Sequence, residues 1–416
     1  MGDSLKVFAY HNSNNGVSYY RIWQRVKWLK KLGIEVKRLP DRLEKVVMPL
    51  EGNGGNIPGC ESHDKVTKWA DVLFSNFRNV RSDTVRMLAQ ASIKPMVIDI
   101  DDDVDSIDPS NPAYKDWAAQ PDAIVEVPDD VTDKEAEDSH PGMTLLKVEC
   151  QRYLVMNRQS GQDNVKEQLR AAAAVTVSTP YLAKVYAPLN KNIHVVPNCI
   201  DFDEWGKVER QDDGLVRIGL FGSNSHQKDW REAVDAIKRI LDEFPNVRFL
   251  FNGWMVVTEA KPGANLYELQ RHFKFPDHFV DRGLIDHPQV EICEPCEIQD
   301  YPKWLQGMQI DIGLAPLADT RFNKSKSNLK YLEFGAMGVA GVYADQEAYA
   351  DVEHGVTGLK AGKPNEYYTQ IKKLVESKEL REQIGNAAHA DVKARYSAQR
   401  GADKLKEVFD SLQVTK

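Results

Sequence analysis

The sequence predicts an α/β fold of two doubly wound halves facing each other across a cleft. Three observations carry this reading. The chain has 416 residues, enough for two units of roughly 200. Short apolar runs alternate with helical patterns, as in βαβ units with parallel sheets. The alternation also runs twice: it stops in the polar stretch 201–214 (DFDEWGKVERQDDG) and restarts at Val216.

Residues 5–10 read as the first strand. A polar loop, HNSNNGVSYYR, leads into a helix over about 18–32, where Ile22, Val26 and Leu29 at offsets 0, 4 and 7 share one face. Gly33 stops the helix, and 34–39 is the next strand. Residues 72–75 and 96–100 are short buried strands, and an acidic loop starts at Asp101. Residues 118–142 are polar, acidic and proline-bearing, which predicts an insertion or mobile lid, followed by a helix through 145–158. Strand-like runs at 171–178 and 193–197 close the first half. The second half repeats the pattern: strand 216–221, polar loop 222–228, helix 230–244, strand 247–251, further strands at 290–293, 310–315 and 340–343, then helices over about 365–376 and from 378 onward. The expected domains are 1–204, 205–395 and a terminal helix, 396–416, packing back on the first. Ligands of such sheets sit at the carboxyl ends of the strands, here between the halves.

Apolar residues at 42% and charged residues at 28% describe a soluble globular chain, and no stretch approaches the roughly 20 apolar residues that span a bilayer. The start, MGDSLKVFAYHN, has no apolar signal-peptide core, so a cytoplasmic protein is expected. The five cysteines are scattered and odd in number, which disfavours a disulfide framework. Cys293 and Cys296 form a C-x-x-C with no second pair or histidine beside it, so a metal or redox role stands against ordinary strand and loop residues.

The net charge of −8 is unevenly placed: residues 99–140 carry −13 and residues 1–50 carry +6. Such asymmetry fits either an anionic partner or solvated helix faces. Trp23 and Trp28 with Arg25, Lys27, Lys30 and Lys31 suit a helix lying on a membrane, and a nucleic-acid partner would also need a positive surface, although no nucleic-acid motif is present. No G-x-G-x-x-G follows a predicted strand, which argues against an oxidoreductase.

Two segments carry candidate chemistry. In 323–357, Lys326, Lys330 and Glu333 fall at offsets 0, 4 and 7, on one face of a helix starting near Ser327. A helix N-terminus with Lys326, Ser327 and Asn328 beside it suits a phosphate, and Glu333 one turn on can accept two ribose hydroxyls; the alternative is a solvated Lys/Glu face. The second segment, DIDDDVD at 99–105, follows a strand and so faces the cleft. Close carboxylates such as Asp101 and Asp102 repel, raise a pKa and suit proton transfer; they also suit a divalent cation, or form a solvated acidic loop.

The run KS-x-x-K-Y-L-E-F-G-A-M-G followed by HGVTGL resembles the nucleotide-binding signature of retaining GT-B glycosyltransferases of the family-4 type. The resemblance implies two Rossmann-like domains, with Glu333 on the ribose and with Lys326 and nearby backbone amides on the diphosphate. Many members carry a sugar-contacting glutamate where this chain has Ser325. Residues 195–205 (VVPNCIDFDEW) are similar to the segment that ends the family's first domain. Residues 218–230 (IGLFGSNSHQKDW) resemble the first strand and loop of its donor domain. There Gly222 with Ser223 admits the donor, Lys228 reaches a phosphate, and His226 is a phosphate or sugar contact or a plain surface histidine. Residues 16–21 (GVSYYR) resemble the family's N-terminal glycine-rich loop, with Gly16 allowing close approach and Arg21 either pairing with an anion or lying on a helix surface. Asp101 and Asp102 stand where many members have a His–Asp pair.

The resemblance implies transfer of a sugar from a nucleotide-diphosphate sugar, UDP-hexose by default, to an acceptor hydroxyl with retention. Lys326, Lys228, Arg21 and helix N-termini would stabilise the leaving diphosphate. Retention needs no protein nucleophile, whereas an inverting route would use Asp101 or Asp102 as base. No cofactor is obligatory, and a divalent metal is permitted but not expected. A sugar-nucleotide epimerase and a non-catalytic sugar-nucleotide-binding protein are the alternatives, the latter favoured by Ser325.

Overall fold

Two six-stranded, all-parallel sheets organise the chain. The computed structural model describes residues 4–11, 15–38, 63–107, 121–128, 130–139, 144–148, 151–157, 161–210, 212–222, 226–252, 255–256, 273–274 and 277–412. Ser223, Cys60, Cys150 and parts of the 118–142 segment lie outside the described residues.

The first sheet begins with β1 (Lys6–Tyr10). A continuous helix follows, α1, made of Gly16–Ser18, a π-helical stretch Tyr19–Trp23, and Gln24–Lys31. Asn15 caps it by accepting a hydrogen bond from Ser18 N at 3.0 Å, and Gly33, at φ 81°, turns the chain out of it. Then come β2 (Glu35–Arg38), α2 (His63–Trp69), β3 (Val72–Asn76), α3 (Arg81–Ala91) and β4 (Met96–Ile100). β3 and β4 are buried along their whole length, which is why they are near-continuous apolar runs.

Between β4 and the rest of this sheet the structure departs from expectation. β5 (Pro121–Glu126), α4 (Asp133–Ser139), β6 (Thr144–Val148) and β7 (Gln151–Asn157) follow, with the strands in a separate antiparallel sheet of order β5-β7-β6. The helix predicted over 145–158 is therefore a hairpin. Val148 pairs with Gln151, so only two residues join β6 to β7, too tight a reversal for a helix to run through. The 118–142 stretch also holds regular structure. Thr132 and Glu135 form a capping box (Thr132 N to Glu135 Oε2 2.9 Å; Glu135 N to Thr132 Oγ1 3.3 Å) that starts α4.

The first half closes with α5 (Gly161–Ala171), β8 (Ala174–Val177), α6 (Pro180–Tyr186) and β9 (Ile193–Val195), in the order β2-β1-β3-β4-β8-β9. The second half holds β10 (Val216–Phe221), α7 (Gln227–Glu243), β11 (Val247–Asn252), a short pair β12 (Met255–Val256) and β13 (Phe273–Lys274), α8 (Asp277–Asp281), β14 (Val290–Ile292), α9 (Tyr301–Gly307) and β15 (Ile312–Ala315). It continues with α10 (Arg321–Ser325), α11 (Leu329–Ala336), β16 (Ala340–Ala344), β17 (Leu359–Ala361), α12 (Pro364–Glu376) and α13 (Lys378–Arg395). The order β14-β11-β10-β15-β16-β17 is that of a dinucleotide-binding fold, with its switch point between β10 and β15.

The last helix, α14 (Ala398–Asp410), returns to the first half. Ile200 bridges to Ser397, and Phe409 packs edge-on against Phe74 of β3 at 5.7 Å between centroids. Phe409 is fully buried, so Phe409→Ala should destabilise the chain by about 3–5 kcal/mol in urea denaturation. A cost below about 1 kcal/mol would mean that this helix does not anchor the first half.

Part of the basic face of α1 is paired. Lys27 pairs with Asp201 and, at 3.1 Å, with Glu204; Lys31 pairs with Asp203 at 2.8 Å and lies over the Trp28 ring. Trp23 and Arg25 are buried. Lys27 and Lys31 thus clamp α1 on the segment joining the two sheets through the DFDE run, while Lys30 is exposed. No helix among the described residues is long and apolar enough to cross a membrane.

Candidate active site

A cavity of about 560 Å³ opens between the two sheets. Its walls come from the segments that follow β1, β4, β10, β11, β14 and β15, at the carboxyl ends of the strands. Gly16, Arg21, Asp101 and Asp102 line it from the first half; Gly222, His226, Lys326, Ser327, Lys330 and Glu333 line it from the second.

Glu333 sits on α11, 1% exposed. Its Oε2 accepts from Lys330 Nζ at 2.7 Å and from Tyr301 OH at 3.1 Å, and its Oε1 accepts from Tyr20 OH of the first half at 2.8 Å. The Lys330–Glu333 pair therefore lies inside the cavity, its carboxylate buried and its lysine half-buried, and is not a solvated face. Burial works against the Lys330 ammonium, but Glu333 and Tyr301 outweigh it and hold its pKa above the usual lysine range.

Helix α11 starts at Leu329 rather than near Ser327. Lys326 is extended (φ −59°, ψ 146°), so a connector separates α10 from α11. Lys326 thus reaches the cavity from this connector and not from a shared helical face. It pairs with Asp102 across the domain boundary at 3.0 Å. Ser327 also lines the cavity and receives a hydrogen bond from Asn198 Nδ2 at 2.8 Å. Asn328 does not line the cavity: it is buried at the start of α11, with Nδ2 3.5 Å from Asp351.

In the acidic loop, basic side chains take up most of the carboxylates. Asp99 holds Arg21 in a bidentate pair at 2.6 and 2.9 Å, Asp103 pairs with Arg321 at 3.0 Å, and Asp105 pairs with Lys166 at 2.8 Å. Among the described residues no group of three or more His, Cys, Asp or Glu is arranged to hold a metal ion. Asp101 is the exception: its Oδ1 is buried with no hydrogen-bond partner. Burial, reinforced by Asp102, pushes its pKa up to about 7.

Arg21 departs from its expected anion-binding role. It is 1% exposed, and besides Asp99 it donates to Val196 O at 2.7 Å and Asn198 Oδ1 at 3.1 Å. It fixes the acidic strand to the segment after β9. Lys228 is exposed on α7 and does not line the cavity, so a helix surface replaces the expected phosphate contact. An added Cβ at Gly16 would meet no atom within 4 Å, whereas at Gly222 it would press on His226 at 3.3 Å.

Sequence reasoning missed Tyr20, Tyr301, Trp304 and Asp229. His226 Nδ1 lies 2.8 Å from Asp229, a buried carboxylate that also accepts from Ala318 N at 2.9 Å and Asn323 Nδ2 at 2.5 Å. An acceptor-only carboxylate at Nδ1 places the proton there and leaves Nε2 for a ligand. The H-x-x-D spacing at 226–229 was the available signal. Tyr301 stacks on Trp304 at 22° and 5.9 Å, forming a flat aromatic wall. Ser325, where the family's sugar-contacting glutamate would stand, is fully buried: its Oγ donates to Phe322 O at 2.6 Å and lies 3.3 Å from Asp103 N. Cys296 lines the cavity; burial pushes its thiol and that of Cys293 up to about 11.

Residues 281–407 match the family model described as glycosyl transferase-like. Over 170 residues the chain is 28% identical to a 2-deoxystreptamine glucosyltransferase of Streptomyces kanamyceticus; the match covers 35% of this chain and spans 42% of that relative's length. Among solved structures, Anabaena HepE in complex with UDP and glucose superimposes with a TM-score of 0.59 at 15% identity, over 97% of this chain and 99% of that one. Sucrose-phosphate synthase of Thermosynechococcus elongatus gives 0.58 at 13% identity, over 98% and 99%. The fold is GT-B. The segment that matches the glycosyl transferase-like model lies in the second half.

Proposed function

We propose that the chain is a retaining glycosyltransferase of the family-4 type that moves a hexose from a UDP-hexose to an acceptor hydroxyl. One observation carries this reading: Lys326, Lys330 and Glu333 of the second half meet Asp101 and Asp102 of the first across one cavity. The second half is the donor side. The Tyr301–Trp304 wall suits the flat face of a nucleobase, Glu333 suits the ribose, and Lys326 with His226 Nε2 suits the diphosphate. The first half is the acceptor side. Its unpaired Asp101 suits a neutral or cationic acceptor more than a polyanion, in keeping with a relative named for an aminocyclitol.

In the reaction the bond from the sugar C1 to the β-phosphate oxygen breaks, and a bond from C1 to the acceptor oxygen forms on the same face. The acceptor proton passes to the departing phosphate. Lys326 stabilises the charge that develops on the diphosphate, as preorganised electrostatic groups do. Asp101 as carboxylate accepts a hydrogen bond from a neighbouring hydroxyl or ammonium of the acceptor and so orients the reacting hydroxyl toward C1 and the phosphate.

The test is incubation of the purified chain with UDP-glucose and a panel of hydroxyl acceptors, including aminocyclitols, with release of UDP and NMR of the product. Acceptor-dependent UDP release with an α-linked product is expected. An altered sugar nucleotide formed without acceptor would replace this reading with an epimerase, and unchanged UDP-glucose under every condition would replace it with a binding protein. Glu333→Gln keeps an acceptor oxygen but loses the charge that neutralises Lys330, and should weaken UDP binding by about tenfold or more in equilibrium titration. Unchanged affinity would remove Glu333 from the site.

A further inference from the structure

We propose that Tyr20 restricts Glu333 to a single ribose hydroxyl, so that the chain reads one of the two ribose positions of its donor and tolerates loss of the other. The proposal rests on the assignment of Glu333 to the ribose and assigns a specificity role to a residue of the opposite domain.

The argument is one of hydrogen-bond capacity. An ionised carboxylate offers about four acceptor positions, two on each oxygen. On Glu333, Oε2 is filled by Lys330 Nζ at 2.7 Å and Tyr301 OH at 3.1 Å. Oε1 takes Tyr20 OH at 2.8 Å. One acceptor position remains, on Oε1, in a side chain that lines the cavity together with Tyr20, Tyr301 and Lys330. A ribose bearing two vicinal hydroxyls can place one of them there; the second finds its place taken by a tyrosine.

For this to hold, the three occupants must stay in place. Lys330 is tied to Glu333 by charge within a buried site. Tyr301 is pinned by its stack on Trp304 and by Lys330 Nζ, 2.9 Å from its hydroxyl. Tyr20 is the most constrained of the three. It is 2% exposed and sits in the π-helical stretch between two anchored neighbours. Tyr19 donates to Glu204 Oε2 at 2.6 Å, and its ring meets that of Tyr20 edge-on at 4.8 Å. Arg21 holds Asp99 in the buried bidentate pair. Three consecutive side chains thus reach the joining segment, the donor helix and the acidic strand. Swinging Tyr20 away would disturb anchors on both sides, and π-helical stretches of this kind recur at functional sites.

The test is calorimetric titration of the full chain and of Tyr20→Phe with UDP, 2′-deoxy-UDP and 3′-deoxy-UDP. For the native chain, loss of one hydroxyl should raise Kd by about tenfold or more and loss of the other by less than about threefold. In Tyr20→Phe the freed acceptor position should let UDP bind more tightly and make both losses costly. A merely structural effect of the substitution would shift all three ligands together and leave the asymmetry as it was, which would overturn the proposal. So would equal tenfold penalties for both losses in the native chain, since Tyr20 would then be yielding its place. UDP binding with neither hydroxyl mattering would instead defeat the ribose assignment of Glu333, and no binding of UDP would defeat the donor reading itself.

Discussion

Replacing Lys326 by alanine is expected to lower kcat by about 10²–10³-fold while leaving the chain folded. The magnitude is that of removing one preorganised group facing developing charge, about 2.7–4 kcal/mol. Lys326 bridges the two domains: it pairs with Asp102 at 3.0 Å and lies over the Phe322 ring at 4.3 Å. Burial opposes its charge, but Asp102 overrides this and keeps its pKa above the usual lysine range, so it remains a cation throughout the working pH range. Upon donor binding the diphosphate can take over from Asp102 as its partner. The substitution has a second, independent readout. Lys326 lowers the pKa of Asp101, so its loss should move any pH limb owed to Asp101 to higher pH. Single-turnover rates across pH would show both effects. A drop of less than about threefold with no shift of the limb would take Lys326 out of the reaction.

Asp101→Asn is expected to change both activity and stability, in opposite senses. The carboxyl has its pKa at about 7, against an ordinary 3.8. Its carboxylate form, the one proposed to orient the acceptor, therefore fills as pH rises through about 7, and activity should rise with it. The amide, which does not titrate, would abolish that limb and lower kcat at pH 8 by at least about tenfold. For stability the sign is reversed. The folded chain keeps a proton that the unfolded chain releases, so the buried carboxyl costs nothing below about pH 4. The cost grows between pH 4 and 7 and is complete above 7. At full extent it is about 2–4 kcal/mol. Asp101→Asn should therefore be more stable than the native chain at pH 8 and no more stable at pH 4. Denaturation curves at the two pH values give the comparison; an equal gain at both would place Asp101 in a solvated, ordinary state.

The central strands were legible because burial on both faces leaves little choice of residue. The run MVIDI predicted a strand at 96–100 and the strand is Met96–Ile100; 216–221 likewise coincides with Val216–Phe221. The hairpin of Thr144–Val148 and Gln151–Asn157 was misread because Leu145, Leu146, Tyr153 and Leu154 fit a helical face as well as two short strands. In the site, the residues whose charge is unusual for their place were legible: Glu333, Lys330, Lys326 and Asp101 all line the cavity. Lys228 and Arg21 were not separable by sequence, since the exposed lysine and the arginine locked to Asp99 both sit in the first turns of helices that follow polar, glycine-bearing loops. Tyr20 and Tyr301 carried no signal of their own in the sequence: Tyr20 is buried and Tyr301 half-buried, and it is the fold, across the two halves for Tyr20, that brings their hydroxyls to Glu333.

The claim on which the rest depends is that the cavity holds a nucleoside diphosphate between its aromatic wall and Lys326. Thermal melting of the native chain with UDP, UMP and glucose tests it most directly, because a ligand selective for the folded state raises the midpoint by mass action. UDP should raise the midpoint clearly, UMP by less than half as much, and glucose alone not at all. Equal shifts with UMP and UDP would remove the diphosphate from Lys326, and no shift with UDP would contradict the account.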